Sequence, residues 1–310
     1  MKRTFIASAL AALACSAAAV SAQPVDYSKL EIKTTDLGQG VHLLGWQGGD
    51  SLILVGDDGV LLVDTSVAQM GDKIRAAVAK ISNKPIKLVI NTHAHADHFG
   101  ANEAMGKSGA VIVAHVNLRE RMAKGQTIAA FNQTIPPSPP AALPTITYAE
   151  ALTLHFDGDT VQLFHVRNAH TDSDTLVHFK RANVIHASGT FGGDGSYPFF
   201  DMSSGGSLAG TIAAQEKMLS LADSNTRIVP DEGEPGSTAV LRACHDALVE
   251  IRARVQKLIA EGKSEDEAVA AKPTKDLDAK WVRPGSFLSG DTYTRMAYQS
   301  LKSGNASAAR

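Results

Sequence analysis

Three histidines and an aspartate occupy four of six consecutive positions, in the order His93, His95, Asp97 and His98. The chain has only 11 histidines in 310 residues, so this density requires a common explanation. Neutral imidazole and carboxylate are the ligands that zinc and similar divalent ions prefer. A turn that leaves a strand can direct alternate side chains to one point. We therefore predict that His93 and His95 bind one metal ion and that Asp97 and His98 point toward a second.

Alternating strands and helices are predicted around this motif. Apolar runs separated by Gly-rich turns predict a meander of strands at 41–46, 51–55 and 60–65. The pattern then predicts a helix at 69–81, a strand at 86–91, a helix at 101–107 and a strand at 110–114. Strands within 152–188 and helices at 208–222 and 240–260 follow. The metal motif thus comes directly after a buried strand.

Two further features concern the helical part and one long loop. Apolar residues at steps of three and four predict a buried face for helix 240–260, and Cys244 lies on it. We interpret Cys244 as a small core residue and not as a nucleophile or ligand. A capping box from Ser264 to Glu267 predicts another helix. The Pro-rich segment 125–144 is excluded from helices and central strands, and we expect it to border and cover a substrate cleft.

Composition narrows the class of protein. The chain is 44% hydrophobic and 20% charged, which is typical of ordinary globular proteins and not of disordered ones. The 30 Lys and Arg residues against 32 Asp and Glu residues give no basic excess, so no nucleic-acid partner is predicted. No stretch beyond the N-terminal segment reaches the ~18 uninterrupted apolar residues of a membrane span.

The first 22 residues have the pattern of an export signal. Lys2 and Arg3 precede an apolar, Ala-rich stretch, and small residues end it at Ala22. We therefore expect a mature single domain at 23–310, located in the periplasm or secreted. The alternative is a lipoprotein anchored through Cys15, which is less favoured because Ala12 stands where such signals prefer Leu.

The motif His-x-His-x-Asp-His after a strand resembles the hallmark of the metallo-β-lactamase superfamily. That resemblance implies an α/β fold, the αβ/βα sandwich, in which two facing mixed sheets carry outer helices and the metals lie at one edge. His170, within Asn-Ala-His-Thr, resembles the family's third metal ligand, so His93, His95 and His170 would form the first site. Asp64 is similar to a buried aspartate that orients a ligating imidazole. Weaker candidates for supporting or substrate-binding roles are Thr171, Ser188 and Tyr197.

Two positions depart from the family pattern. Where the dinuclear hydrolases of the superfamily carry an aspartate that bridges both metals, this chain has Gly189. The neighbouring Ser188 is consistent with lactamases, which also lack the bridging aspartate and carry Cys or Ser in this region. In Pro-Asp-Glu-Gly, which resembles the family's Pro-Gly-His-Gly element, Glu232 replaces a histidine. The two changes together leave the formal charge of the site unchanged.

These departures lead to a hypothesis about the second metal. Glu232 would join Asp97 and His98 at a weaker site, and a carboxylate in place of imidazole shifts the preference toward Mn, Fe or Mg without excluding Zn. The alternative is that the second site is lost or empty, which would leave a mononuclear enzyme or an inactive relative.

The expected chemistry is hydrolysis. A zinc ion held by three histidines keeps a position open for water and lowers the pKa of that water, so we expect attack on a carbonyl carbon. Catalysis would depend on His93, His95, His170 and Asp97, and export favours a β-lactam as the small-molecule substrate. The alternatives are a lactonase, another exported hydrolase of thioesters or phosphodiesters, or a metal-binding protein without catalysis. The oligomeric state is not predicted. Two further histidines near the ligands, His165 and His186, are weaker candidates for supporting the site. Weaker candidates for binding an anionic group of the substrate are Arg119, Lys124 and Arg167.

Overall fold

The computed structural model describes residues 25–46, 48–193 and 195–308. The proposed export segment and Cys15 therefore lie outside the described residues. Within the described part, two mixed sheets pack face to face and helices cover their outer faces, which confirms the predicted αβ/βα sandwich.

The first sheet has the strand order β1-β2-β3-β4-β5-β6-β9. Its first four strands pair antiparallel, and β4, β5, β6 and β9 pair parallel. This arrangement directs the carboxyl ends of the parallel strands to one edge. The strands are β1 (Lys33–Gly38), β2 (Val41–Gly45), β3 (Ser51–Val55), β4 (Val60–Val63), β5 (Ile86–Asn91), β6 (Val111–His115) and β9 (Ile146–Tyr148).

The second sheet has the order β10-β11-β12-β13-β14-β15, and only β13 and β14 pair parallel. Its strands are β10 (Ala151–Phe156), β11 (Asp159–His165), β12 (Thr175–Phe179), β13 (Val184–His186), β14 (Arg227–Val229) and β15 (Gly236–Ser237). Apolar side chains from both sheets, among them Leu54, Val63, Val161 and Val177, are fully buried between them.

Helices pack on both outer faces. The first sheet is covered by α1 and α3, and the second by α5, α6 and the C-terminal helices. The helices are α1 (Gly71–Ile81), α2 (Ala96–Phe99), α3 (Asn102–Lys107), α4 (Val116–Lys124), α5 (Leu208–Leu221), α6 (Thr238–Ala260), α7 (Glu265–Ala270), α8 (Lys275–Trp281) and α9 (Gly290–Ala308). No helix in the described part of the chain is long and apolar enough to cross a membrane.

The predicted elements agree with these bounds to within a few residues. Cys244 is fully buried on the apolar face of α6, and burial raises the pKa of its thiol to about 12, which confirms its role as a core residue. The capping box at Ser264 and Glu267 is present at the start of α7. The prediction did not include β1, α4, α8 or α9.

Segment 125–144 contains no central strand, as predicted, but part of it is regular. Two short strands, β7 (Gln126–Ile128) and β8 (Gln133–Ile135), pair with each other, and within the described residues they join neither main sheet. At the tip of this hairpin, Phe131 is half exposed. The hairpin tip borders the cavity described below, whereas the proline run is absent from its lining.

Candidate metal centre

The cluster of histidines begins where β5 ends and continues into the short helix α2. The Asn91 amide donates to the backbone carbonyl of His98 at 3.0 Å, which closes the turn between the strand and the helix. The amide of Asn102 donates to Asn91 Oδ1 at 2.7 Å and fixes that side chain in turn. Both asparagines are fully buried. The backbone that presents the histidines is therefore held by amide hydrogen bonds and is not a solvated loop.

Three histidines converge as the sequence predicted. The ligating nitrogens of His93, His95 and His170 lie within 4.8 Å of one another, and all three side chains are buried. His95 Nδ1 and His170 Nε2 are 3.0 Å apart. His93 Nε2 is buried and has no hydrogen-bond partner among the residues that the structure describes. A buried ring nitrogen without a partner is costly, and a bound cation would satisfy it.

The other ring nitrogen of each imidazole is anchored. His95 Nε2 lies 3.2 Å from the carboxylate of Asp201, and His170 Nδ1 lies 2.8 Å from the carbonyl oxygen of Phe199. Such contacts fix the ring orientation and leave the opposite nitrogen free to bind a metal. Asp201 and Phe199 were not identified from the sequence, because no local motif marks them.

Ser188 and Thr171 support the histidines from the side that lies away from the metal-binding Nε2 atom of His93. The Ser188 hydroxyl is 3.2 Å from His93 Nδ1 and donates to the buried carboxyl of Asp174 at 3.2 Å. The backbone amide of Thr171 also donates to Asp174, at 2.7 Å. Burial raises the pKa of Asp174 to about 7. The two predicted residues thus support His93 and its surroundings through Asp174, a residue that the sequence did not indicate.

Asp64 supports the other half of the motif. Its fully buried carboxylate accepts hydrogen bonds from Thr92 N at 2.8 Å and Thr92 Oγ1 at 2.7 Å. It also lies 2.8 Å from Nδ1 of His98, so the Nε2 atom of His98 faces the site. Asp64 adopts a left-handed backbone with φ of 60°, which aims the carboxylate at these partners. The arrangement is the one expected of an aspartate that orients a metal ligand.

A second group of donors lies beside the first. The ligating atoms of His93, His98 and Asp231 are within 4.8 Å of one another. Asp97 Oδ2 lies 3.4 Å from His98 Nε2. Among the described residues, the donor group around His98 contains Asp231 and not Glu232, which lines the same cavity. In the Pro-Asp-Glu-Gly loop, where the sequence predicted Glu232 as a ligand, it is the preceding residue, Asp231, that belongs to this donor group.

The charges of the site follow from burial and proximity. Burial and the neighbouring imidazoles lower the pKa of His93 well below its ordinary value. Burial opposes protonation of His98 as well, but the carboxylates of Asp97 and Asp64 outweigh it and raise the pKa of His98 well above the ordinary value. The pKa of Asp97 is correspondingly low, because the attraction of His98 outweighs burial. Asp97 is therefore ionised at neutral pH.

Gly189 is in direct contact with a ligand. A Cβ atom at this position would lie 2.3 Å from both Cγ and Cδ2 of the His170 ring, which is far below van der Waals distance. The missing side chain is thus a steric requirement for the observed position of His170. An aspartate at position 189 and His170 in this position exclude each other.

The donors open into a cavity of about 440 Å³. Three phenylalanine rings form an apolar wall, because Phe131, Phe199 and Phe287 lie with centroids 5.5–5.7 Å apart. Arg283 also lines the cavity and donates to the Gly192 carbonyl at 3.1 Å. None of these aromatic or basic side chains was identified from the sequence. They come from separate loops that only tertiary packing brings together.

The weaker candidates have other partners. Tyr197 lines the cavity, but its hydroxyl donates to Asp278 at 3.1 Å. His165 stacks on His115 with centroids 3.6 Å apart. His186 is fully buried and accepts from Ser188 N at 3.1 Å. Three basic side chains are absent from the cavity lining and contact other partners, namely Arg119, Lys124 and Arg167.

A divalent cation fits the residues present. Three inward imidazole nitrogens, each with its opposite nitrogen anchored, are the donors of a site that keeps a position open for water or substrate. The unpartnered Nε2 of His93 marks the position where that cation would be held.

We predict that acid destabilises the metal-free protein. Burial lowers the pKa of His170 to about 3 and the pKa values of His186 and His115 to about 4. The unfolded chain takes up these protons below about pH 6.5, whereas the folded chain resists them down to about pH 4. The buried carboxyls of Asp50, Asp174 and Asp231 have raised pKa values and, like His98, oppose this trend. The lowered imidazoles, with His93 among them, are the larger group, so stability should fall across that window. The Tm measured with chelator should drop by about 2 °C or more between about pH 7 and pH 5. A constant or rising Tm would contradict this expectation.

Comparisons with known proteins agree with the geometry. A family model described as the metallo-beta-lactamase superfamily matches residues 44–223, more than half of the chain. A metallo-beta-lactamase from Pontibacter korlensis is similar in structure, with a TM-score of 0.56 and 16% identity over 71% of this chain and 99% of that one. A metallo-beta-lactamase from Hirschia baltica gives 0.56 and 17% over 70% of this chain and 97% of that one. A stereoselective inverting sec-alkylsulfatase from Pseudomonas sp. gives 0.67 and 18% over 89% of this chain and 51% of that one. Together with the triad of His93, His95 and His170, the family match establishes that the chain belongs to the metallo-beta-lactamase superfamily.

Proposed function

We propose that this protein is an exported metallohydrolase that opens the β-lactam ring, acting in the periplasm or outside the cell with zinc at the first site. The observation that carries the proposal is the cavity, in which the metal donors face a wall of three phenylalanine rings. A bicyclic amide with an apolar side chain would fit such a cavity, because its carbonyl group could face the metal donors while its side chain packs against the phenylalanine rings. Export is proposed from the pattern of residues 1–22.

The absence of a carboxylate at position 189 supports the same proposal. In the family pattern, an aspartate there is typical of the dinuclear hydrolases, whereas lactamases lack it. In this chain the ring of His170 occupies the space beside Gly189.

The histidines, Asp97 and the phenylalanine rings would have different roles in hydrolysis. When bound, a divalent cation supplies activated water and polarises the scissile carbonyl. His93, His95 and His170 would hold that cation, and their anchored outer nitrogens keep the donor geometry rigid. Asp97 is ionised and partly exposed to the cavity, so its carboxylate can accept a hydrogen bond from the attacking water and orient it. The phenylalanine wall would bind the apolar part of the substrate and exclude water.

The proposal is tested with a chromogenic cephalosporin. Protein stripped with chelator and reloaded with Zn²⁺ or Mn²⁺ should hydrolyse it, and chelator should abolish turnover. Asp97→Asn should lower kcat by about 100-fold, as expected when the nucleophile is no longer oriented. As a matched control, Asp57→Asn changes an exposed turn residue and should leave kcat unchanged. No turnover with either metal, alongside turnover of a lactone or phosphodiester, would reject the lactam as substrate.

A specific observation favours a second candidate, hydrolysis of an alkyl sulfate ester. The sec-alkylsulfatase matches 89% of this chain with a TM-score of 0.67, which exceeds the 71% and 0.56 of the Pontibacter enzyme. The apolar wall would accept an alkyl chain as readily as a lactam side chain. Sulfate release from a secondary alkyl sulfate, measured on the same metal-loaded protein, distinguishes the two. A protein that binds metal but hydrolyses neither class, nor lactones nor thioesters, would instead be a metal-binding relative without catalysis.

A further inference from the structure

The position of Asp231 between two groups of imidazoles has a chemical consequence. Its carboxylate lies within 4.8 Å of ligating nitrogens on both His93 and His98. His93 belongs to the first donor group, whereas His98 is oriented by Asp64 and faces the second. One carboxylate therefore lies within reach of both positions.

The two donor groups adjoin each other. The rings of His93 and His98 are neighbours, with centroids 4.0 Å apart, and the ligating atom of His93 belongs to both groups. Two-metal hydrolytic sites place their ions about 3.5–4 Å apart. Cations at such a distance repel each other strongly, so a shared anionic ligand, hydroxide or carboxylate, stabilises the pair. In the dinuclear hydrolases of the family pattern an aspartate at the position of Gly189 is that carboxylate, and this chain has no side chain there.

The loop that carries Asp231 is held in place from the opposite sheet. The backbone amide of Asp50 donates to the carbonyl of Asp231 at 2.7 Å, and Asp50 Oδ2 accepts from Gly233 N at 3.0 Å. The other carboxylate oxygen of Asp50 accepts from Trp46 N at 3.0 Å. Two of these bonds hold the loop at Asp231 and at Gly233, and the third holds the Asp50 carboxylate in place. The backbone that carries the Asp231 carboxylate is therefore held in place by hydrogen bonds to a distant part of the chain.

We propose that Asp231 bridges two metal ions, one held by the first histidine group and one by His98, in place of the carboxylate that Gly189 does not provide. The bridging carboxylate enters from the loop between β14 and β15 and leaves the space beside Gly189 to His170. Glu232, which the sequence suggested as the ligand, would then line the cavity without binding the second ion. A donor set with Asp231 and Asp97 beside a single further imidazole is harder than a histidine-rich one, so Mn²⁺ and Fe²⁺ should compete with Zn²⁺ there.

Metal titration of the full-length, chelator-stripped protein tests this directly, with Co²⁺ as the probe. The wild type should bind two ions per chain, and the doubly loaded protein should show magnetically coupled Co²⁺ by electron paramagnetic resonance. Asp231→Asn, which keeps the side-chain shape, should weaken the second ion by about 10-fold or more and abolish the coupling. Circular dichroism establishes that the variant is folded.

Two neighbouring variants make the test specific. Glu234→Gln removes one negative charge from the same loop at an exposed residue paired with Lys33, and it should leave both ions bound. Glu232→Gln should do the same. The proposal is overturned if Asp231→Asn retains two coupled ions, if Glu232→Gln and not Asp231→Asn loses one, or if the wild type never exceeds one ion per chain. These readouts are independent of turnover, so a failed cephalosporin assay would reject the lactam and not the bridge.

Discussion

Replacing Gly189 by alanine or aspartate should remove the first metal ion. Either residue introduces a Cβ atom 2.3 Å from the ring of His170, which must then leave its position. We expect a loss of about 1–3 kcal/mol in the free energy of unfolding, as for other overpacked sites. We also expect an affinity about 100-fold lower for the first ion, because displacing the ring breaks its bond to the Phe199 carbonyl.

The informative variant of this pair is Gly189→Asp, because it restores the residue that the family pattern expects. Metal content by mass spectrometry and the melting temperature measure both effects. Gly304→Ala serves as the control, since a Cβ there meets no atom within 4 Å. If Gly189→Asp bound two ions and melted like the wild type, the steric argument would be rejected.

Replacing Asp64 by asparagine should have the second largest effect, and it should fall on the second ion. The buried carboxylate accepts from two groups of Thr92 and lies 2.8 Å from His98 Nδ1. An amide offers one acceptor oxygen, so at least one buried donor loses its partner, at a cost of about 1–3 kcal/mol. Without the carboxylate, His98 is no longer held with Nε2 toward the metal, and affinity for the second ion should fall by about 10–100-fold.

The two ions should respond differently to this substitution. The first histidine group has its own anchors at Asp201 and Phe199, so it should keep its ion in Asp64→Asn. Titration with Co²⁺ followed by absorbance separates the two binding steps. Equal weakening of both ions would show that Asp64 stabilises the fold in general and does not orient His98 in particular.

The features that the sequence predicted well are those with local signals. The turn from His93 to His98, the buried face of α6 and the capping box at Ser264 each depend on residues within one or two turns of chain. Their spacing reflects helix or strand periodicity, which is a property of the backbone. The fold class followed from the same signals and from the resemblance that the histidine motif carried.

The features that the sequence did not reveal depend on distant contacts. Asp231 and Glu232 are adjacent carboxylates, and nothing in their local pattern distinguishes them. The hydrogen bonds from Asp50, just before β3, hold the backbone of this loop, and in that position Asp231 belongs to the donor group with His98. The aromatic wall is similar, because Phe131 and Phe287 come from loops that meet only in the folded protein.

The hairpin of β7 and β8 pairs with neither main sheet, yet its tip carries Phe131 to the mouth of the cavity. The donors to the ions, by contrast, extend from the ends of strands in the two sheets and from the loops that follow them. The tip of the hairpin therefore belongs to the cavity wall and supplies no metal donor, whereas the base of the ribbon is joined to the metal motif, because the Gln126 amide donates to the carbonyl of Ala94. Under the proposed function, mutations at the tip would change which molecules are accepted without altering the metal donors, so selection could diversify the substrate range from that position.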